Sequence, residues 1–468
     1  MKRTKKMAVL AVILVIVLGG YFALSRLTSK EAESADEEKA VTVASLDSAS
    51  VSQFAWTRGD VSITLQKTSG GWQYSEDPTF PLNQDNVDTM LTAVSKIEAT
   101  REISDASELS EYGLDKPSCT ITATTSGGEE TKLSIGNKND LTSEYYLTLN
   151  GGKTVYTVDD TLLKAFPDSL FSIVRMEQLP DMTQVNSFTV EKPDGRMTLV
   201  YREDGKEISY SDKYSWFYED ASALKPVDTE KATTLVDNIT NLSWTSCLSY
   251  NADESTLSTY GLDAPRGKVT VEHKTENENG STQGTLVLLI GSVSGDNCCV
   301  KLENSGMVYQ IAASTADALL NAGYATVYPD DICAMNWDTV TSIDASVNGK
   351  SADVSFVRSQ TADQSGKAQE TTAYSVNGTE ADSAKVQDFL ESIYSMKSSG
   401  TPASSAPSSG AEVTLVFHRS TETGETMTLT LSACDGSSYL AVFDGETRLV
   451  SKDYVTVLEN AFTAMAQA

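Results

Sequence analysis

Residues 109–117 read LSEYGLDKP, and residues 257–265 read LSTYGLDAP. Seven of these nine positions are identical, which chance does not readily produce, so the chain carries an internal repeat. The shared Tyr-Gly-Leu-Asp has turn chemistry, because Gly permits a positive φ and Asp bonds nearby backbone N–H groups. The Pro two residues later begins an extended strand. The sequence therefore predicts a structural connector, and not a catalytic site, at both places.

The sequence on both sides of the connector repeats as well. Trp72-Gln73-Tyr74 corresponds to Trp216-Phe217-Tyr218 upstream, and an Ile-Gly pair follows each connector downstream. We assign a structural repeat motif to Trp72, Tyr112, Gly113, Leu114, Asp115, Pro117, Trp216, Tyr260, Gly261, Leu262, Asp263 and Pro265.

A third copy is more diverged and runs from Trp337 to the end of the chain. Tyr374 falls where the motif Trp is expected, and the final stretch SYLAVFDGETRLVSKDYVTVLENAF mirrors EYYLTLNGGKTVYTVDDTLLKAF of the first copy. The connector is missing there. In its place stands SSGTPASSAPSSG at 398–410, whose composition is typical of a low-complexity loop.

Alternating apolar and polar residues, as in VSITLQK at 61–67, predict strands that Gly-bearing turns connect. Each copy also has an apolar stripe with helical spacing, as at 382–396, and short closing helices are predicted at 161–166 and 314–320. Runs of strands without βαβ alternation indicate the α+β class. The predicted fold is an N-terminal transmembrane helix followed by three tandem repeats of mainly antiparallel sheet, each with one amphipathic helix and a short closing helix.

The same observations predict the domain organisation. Residues 28–40 are polar and acidic, which favours a flexible stalk before the first repeat. The predicted segments are a cytoplasmic basic tip and transmembrane anchor at 1–27, an acidic stalk at 28–40, repeat 1 at 41–180, repeat 2 at 181–334, and a diverged repeat 3 at 335–468.

The N-terminus predicts a single membrane anchor. Residues 1–6 are MKRTKK, and residues 7–24 form an uncharged apolar run, MAVLAVILVIVLGGYFAL. A helix of that length reaches roughly 27 Å, close to the hydrocarbon thickness of a bilayer. The basic flank favours a cytoplasmic N-terminus, so the bulk of the chain is expected on the extracytoplasmic face. A cleaved signal peptide is the alternative, which Arg26 directly after Ala23-Leu24-Ser25 disfavours.

Charge bounds the partners that the chain can have. The 36 basic and 65 acidic residues give a formal net charge of −29, which repels phosphate backbones. Nucleic acid is therefore excluded as an expected partner. The charge agrees with a soluble surface, or with one that meets cations or a basic protein.

Residues with catalytic or metal-binding chemistry form no recognisable pattern. The six Cys have no C-x-x-C spacing, and they could form one or two disulfides outside the cell or remain free thiols. The two His are isolated in predicted strands. Nucleotide-binding, hydrolase and metalloprotease motifs are absent from the sequence. Close acidic pairs such as Asp330-Asp331 are interpreted as loop or helix-start residues. We therefore predict no enzymatic activity, no catalytic residue, no cofactor and no metal site.

The basic tip and apolar run, the Trp strand, the amphipathic helix and the Tyr-Gly-Leu-Asp-x-Pro connector together resemble the bacterial family catalogued as domain of unknown function 4340. The resemblance covers residues 72–166 and 216–320, with a weaker echo at 371–462. It implies an exported, membrane-anchored protein, often encoded beside ABC transporter permease and ATPase subunits of the gliding-motility type. The family has no known catalytic residues, so the resemblance assigns none here.

The leading hypothesis is a membrane-anchored, non-catalytic accessory or scaffold protein on the extracytoplasmic face, serving an ABC transporter complex. Its expected partners are the membrane, through residues 7–24, and the transporter permease and ATPase. A module that binds cell wall or another surface ligand is the alternative. A hydrolase of envelope polymers is a third possibility, since two distant carboxylates can form a glycosidase pair.

Overall fold

The computed structural model describes residues 40–104, 106, 108–208, 210–221, 223–278, 280–362, 368–400, 407, 410–421 and 425–467. The chain divides into two compact units, which comprise residues 1–176 and 177–468. Each is described separately below.

The first unit contains one eight-stranded sheet and one two-stranded sheet. Its strands are β1 (Val41–Ala44), β2 (Val51–Arg58), β3 (Val61–Thr68), β4 (Gly71–Tyr74), β5 (Ile97–Ala99), β6 (Arg101–Ile103), β7 (Cys119–Thr125), β8 (Glu130–Lys138), β9 (Tyr145–Leu149) and β10 (Val155–Val158). Its helices are α1 (Gln84–Ser95) and α2 (Thr161–Ala165), with 3₁₀ turns at Leu109–Tyr112 and Leu170–Ile173. The large sheet has the order β4-β3-β2-β7-β8-β9-β10-β6, and β1 pairs with β5.

The second unit contains two nine-stranded sheets. Strands of the first are β11 (Gln184–Lys192), β12 (Gly195–Tyr201), β13 (Trp216–Asp220), β14 (Ala223–Pro226), β15 (Ser246–Ser249), β16 (Gly267–Asn277), β17 (Gly280–Ser294), β18 (Asn297–Leu302) and β19 (Val308–Ala312). Strands of the second are β20 (Val340–Val347), β21 (Lys350–Ala362), β22 (Ala368–Val376), β23 (Thr379–Glu380), β24 (Ser398–Gly400), β25 (Val413–Arg419), β26 (Thr426–Ala433), β27 (Ser438–Phe443) and β28 (Glu446–Ser451).

The helices of the second unit are α3 (Thr229–Thr240), α4 (Glu254–Thr259), α5 (Ala313–Leu320), α6 (Tyr324–Val327), α7 (Ser383–Tyr394) and α8 (Lys452–Ala466). Short 3₁₀ turns lie at Gly205–Ile208 and Trp337–Thr339.

The three large sheets share one plan, and we call each large sheet with the helices that pack on it a module, numbered in chain order. The second has the order β14-β13-β12-β11-β16-β17-β18-β19-β15, and the third has the order β23-β22-β21-β20-β25-β26-β27-β28-β24. All of their strand pairings are antiparallel, and β4, β13 and β22, which carry Trp72, Trp216 and Tyr374, occupy equivalent places. The third copy therefore keeps the topology of the others although it lacks the connector.

Each long helix begins where its sequence supplies a cap. Asn83, Asp228 and Asp382 accept hydrogen bonds from backbone N–H groups in the first turns of α1, α3 and α7. The buried side of each helix is its apolar stripe, for example Val386 and Phe389 of α7. In the third module Phe389 also meets Phe462 of α8, with ring centroids 5.9 Å apart, so the two helices close one core.

The predicted α+β class is wrong, because β structure dominates. About twice as many residues of the described chain lie in strands as in helices. Short polar segments such as Ser246–Ser249 and Ser398–Gly400 do not alternate clearly, and they become strands because a neighbouring strand offers backbone partners.

The predicted fold also included an N-terminal transmembrane helix, and the described structure does not contain one. None of the helices in the described chain combines the length and the apolar character needed to cross a bilayer. The apolar run at 7–24 lies outside the described residues, as does the stalk up to residue 39.

Candidate functional site

The two connectors adopt the same local structure in the two units. Gly113 and Gly261 have φ values of 69° and 66°, the left-handed region in which Gly has no Cβ penalty. The next residue folds back in each case, since the Leu114 N–H donates to the Leu109 carbonyl at 2.9 Å and Leu262 N–H donates to Leu257 at 2.8 Å. Both Leu side chains are buried, whereas Asp115 and Asp263 are exposed. Pro117 and Pro265 follow just before β7 and β16.

The Ile-Gly pair that follows each connector allows a close approach of two backbones. A Cβ on Gly136 would overlap the Tyr112 carbonyl, and a Cβ on Gly291 would overlap the Tyr260 carbonyl. In the second copy the Ser292 N–H donates to that Tyr260 carbonyl at 2.8 Å. Each connector therefore packs directly against the strand that contains the glycine.

The motif tryptophans lie in the cores of their modules. Trp72 is buried and stacks on Phe54 at 5.4 Å, and Trp216 is buried in an edge-to-face contact with Tyr201 at 5.4 Å. The twelve motif residues are therefore divided equally between the two units, and within each unit they belong to a single module.

Several charged side chains converge where the second module joins the third. We call residues 328–336 the linker. Its backbone is bonded to the third module, because Ile332 N–H donates to Met396 and Asp330 accepts from Ser398 N–H at 2.6 Å. On the other side, Ala334 accepts a hydrogen bond from Ser211 N–H of the second module. The linker is therefore hydrogen-bonded to both modules within one compact unit.

Asp331 is the centre of this junction. Its side chain is only 8% exposed, and it pairs with the ammonium groups of Lys213 and Lys397, one from each module. The Tyr214 hydroxyl also donates to Asp331 Oδ2 at 2.5 Å. One buried carboxylate therefore joins groups that are far apart in the chain. Buried charges need such partners, because desolvation is costly without them.

The ionisable groups around Asp331 are perturbed by burial. The pKa of Lys213 is lowered, first by desolvation and then by the nearby charge of Lys397. Burial also raises the pKa of Tyr214 above its usual range, so the phenol stays protonated and donates to Asp331. These groups border a cleft of about 370 Å³ whose other walls include Asp228 and Ser398.

A second set of contacts lies across the same junction. Arg448 of β28 is buried, donates to the Pro329 and Asp331 carbonyls at 2.7 and 3.1 Å, and lies 4.5 Å from the Tyr328 ring centroid. Lys225 of β14 pairs with Glu446 at 2.7 Å. Burial acts to lower the pKa of Lys225, but hydrogen bonds to Glu446 and Asp220 outweigh it and raise that pKa.

The six cysteines, all of which lie in described segments, are free thiols. Five are buried, and burial raises the pKa of Cys119, Cys247 and Cys298 to about 11. A high thiol pKa keeps the reactive thiolate scarce at neutral pH, which is typical of structural cysteines.

Neither histidine is among the junction residues described above. His273 is buried against Gly284, and desolvation lowers its pKa. His418 is partly exposed on β25 and contacts Asp344 Oδ2 at 2.9 Å. Among the residues that the structure places, no three His, Cys, Asp or Glu side chains are grouped so as to hold a metal ion.

Sequence reasoning missed the junction. It interpreted Asp330-Asp331 as loop or helix-start acids, and this describes Asp330, which is exposed and pairs with Lys231 at 2.6 Å. Asp331 is instead a buried central residue. Nothing in the local sequence separates the two, because the partners of Asp331 are contributed by positions 213, 214 and 397.

Repeated antiparallel sheets, a shared connector and a bonded linker define a tandem-module protein of β-rich architecture. Sequence comparison gives the family: the chain matches Domain of unknown function (DUF4340) over residues 72–225 and 216–413, and it belongs to that family. Neither the curated proteins nor the solved structures contain a match to this chain.

Proposed function

We propose that this protein is a non-catalytic accessory or scaffold subunit on the extracytoplasmic face, serving an ABC transporter complex. The observation that carries the proposal is the junction in the second unit. There the linker, Asp331 and Arg448 join two modules into one compact body. A scaffold has to present more than one surface in a constant arrangement, and buried polar contacts across an intermodule boundary serve that purpose.

Family membership supports the transporter partner only through the gene association that the family resemblance implies. The extracytoplasmic location rests on the sequence of residues 1–24. Net charge adds one constraint, because a chain with a charge of −29 favours partners whose contact surface is neutral or basic.

The test is crosslinking in the native cells with tagged full-length protein, followed by solubilisation and mass spectrometry. We expect specific recovery of an ABC permease and ATPase. Asp331→Asn provides a matched variant: loosening the junction should reduce their recovery, whereas Asp330→Asn at the exposed neighbouring position should not. Recovery of no transporter subunit in any of the three strains contradicts the proposal.

A second candidate function is the binding of a wall glycan or another surface ligand. One observation favours it: a shallow groove of about 400 Å³ on the outer face of the third sheet, lined by Asp344, Ser346, Ser351, Asp353 and Thr414. Carboxylates and hydroxyls of this kind can accept and donate hydrogen bonds to sugar hydroxyls.

Pull-down of the full chain on purified wall material separates the two functions. Glycan binding predicts retention without any transporter, and loss of retention when Asp344 and Asp353 are both changed to Asn. Asp388→Asn, an exposed acid on α7, is the control and should be retained like the unmodified chain. Absence of retention for the unmodified chain excludes this candidate.

A further inference from the structure

Asn-Gly dipeptides form several of the turns between strands. The sequence contains four of them, and the asparagine of one, Asn279, lies outside the described residues. The other three asparagines have φ values of 50° to 52°, and each precedes a glycine that is also left-handed; they are Asn150, Asn348 and Asn377. Asn-Gly is the dipeptide that such turns favour. Backbone conformation therefore does not distinguish the three asparagines, but their side-chain contacts do.

Two of the three side chains are fixed to the backbone of a neighbouring strand. Asn150 Oδ1 accepts the Lys132 N–H at 2.8 Å, and the Asn150 N–H donates to the Lys132 carbonyl at 2.7 Å. Asn377 contacts Asp353 in the same way, with distances of 2.9 and 2.8 Å. Each of these side chains therefore completes a pair of hydrogen bonds with one backbone residue of a sheet.

The Asn348 side chain is held differently. Its backbone N–H donates to the Glu412 carbonyl at 2.8 Å, but its Nδ2 donates to Glu459 Oε1 of α8 at 2.8 Å. That contact is exposed, and it ends on a flexible glutamate side chain. Within the described residues, no backbone N–H is bonded to the side-chain oxygen of Asn348. Exposed contacts of this kind add little to stability.

The freedom of an asparagine side chain matters because Asn-Gly can react with itself. The backbone nitrogen of the glycine attacks Cγ of the asparagine, and glycine has no side chain that obstructs this approach. The new N–C bond closes a five-membered succinimide. The bond from Cγ to Nδ2 breaks, and the amide nitrogen leaves as ammonia with the proton of the glycine N–H. Water then opens the ring at either carbonyl and gives aspartate or isoaspartate.

We propose that Asn348-Gly349 is a modification site at which spontaneous deamidation changes the contact between the β20–β21 turn and α8. The Asn348 amide donates to the Glu459 carboxylate, whereas the product carboxylate would face that same negative charge. An attractive contact thereby becomes a repulsive one. The isoaspartate product also adds one carbon to the backbone of a two-residue turn that closes the Val347–Lys350 pair, so the turn has to change shape.

Peptide mapping by mass spectrometry tests the site on the purified full-length protein. Samples are incubated in mildly alkaline buffer, either native or unfolded in guanidinium chloride, and the mass gain of deamidation is followed at Asn150, Asn348 and Asn377. Dividing the native rate by the unfolded rate at each position removes the effect of the neighbouring residues in the sequence.

The ratio at Asn348 should exceed the ratios at Asn150 and Asn377 by about threefold or more, since one hydrogen bond to a strand backbone has to break first at those two. Any smaller difference overturns the proposal.

The effect on α8 is measured with a variant that carries the product charge from the start. Asn348→Asp should speed amide exchange in peptides of α8 by about two- to fivefold, because an exposed like-charge contact replaces the hydrogen bond to Glu459. Adding Glu459→Gln should reverse that change. Unchanged exchange in α8, or the same acceleration with Glu459→Gln present, overturns the inferred effect.

Asn150→Asp is the matched control in the first unit. An aspartate oxygen still accepts the Lys132 N–H, so amide exchange in peptides around this turn should stay within about twofold of the unmodified chain. The inference goes beyond the proposed scaffold function and does not depend on it, because both measurements use the purified chain without any partner.

Discussion

Replacing Asp331 by Asn should loosen the joint between the second and third modules. The change keeps the size of the side chain but leaves Lys213, Lys397 and the Tyr214 hydroxyl facing a neutral amide. Breaking a buried ion pair costs about 3–5 kcal/mol when both partners are buried. Here Asp331 is 8% exposed, but the two lysine side chains are 53% and 47% exposed and regain water. We therefore expect a smaller loss, of about 2–3 kcal/mol.

Hydrogen exchange measured by mass spectrometry on the full-length protein tests this value locally, because two compact units need not unfold in one transition. Peptides covering the linker and β24 should lose about 30- to 150-fold in protection, the factor that corresponds to 2–3 kcal/mol. Peptides of the first unit should not change.

Asp330→Asn is the matched control, one residue away. Asp330 is 58% exposed and its partner Lys231 is 40% exposed, so the pair should contribute less than about 1 kcal/mol. Equal protection in the two variants, or unchanged exchange at the linker in Asp331→Asn, would refute the reasoning that burial gives Asp331 its importance.

Three further predictions concern the modules. Gly291→Ala should destabilise the second unit by about 1–3 kcal/mol in urea unfolding, since the new Cβ meets the Tyr260 carbonyl, whereas Gly195→Ala in open space should be nearly neutral. At pH 8 a water-soluble maleimide should label Cys434, the half-exposed thiol, well before Cys119, whose pKa burial raises to about 11; equal rates would contradict this. Asp382→Ala should cost about 1 kcal/mol through the lost cap of α7, seen as faster amide exchange in its first turn.

Local features of the fold could be predicted from the sequence. The connectors at Gly113 and Gly261 follow from residues that are neighbours in the chain, and so do the helix caps Asn83, Asp228 and Asp382. Self-similarity identified the repeats and the family, which the family match supports. Membrane anchoring, extracytoplasmic location and the transporter partner stay predictions.

The weight of β structure and the candidate site were decided by tertiary structure. Ser398–Gly400 is a strand only because β28 lies beside it, and its polar sequence has no pattern that predicts pairing. Asp331 and Asp330 are identical side chains in adjacent positions, yet one is buried between two lysines and the other is exposed. The sequence determined the repeated modules because their turns, caps and stripes act over a few residues. Which carboxylate is buried depends on groups 66 and 117 residues away in the chain, and only the folded chain brings these together.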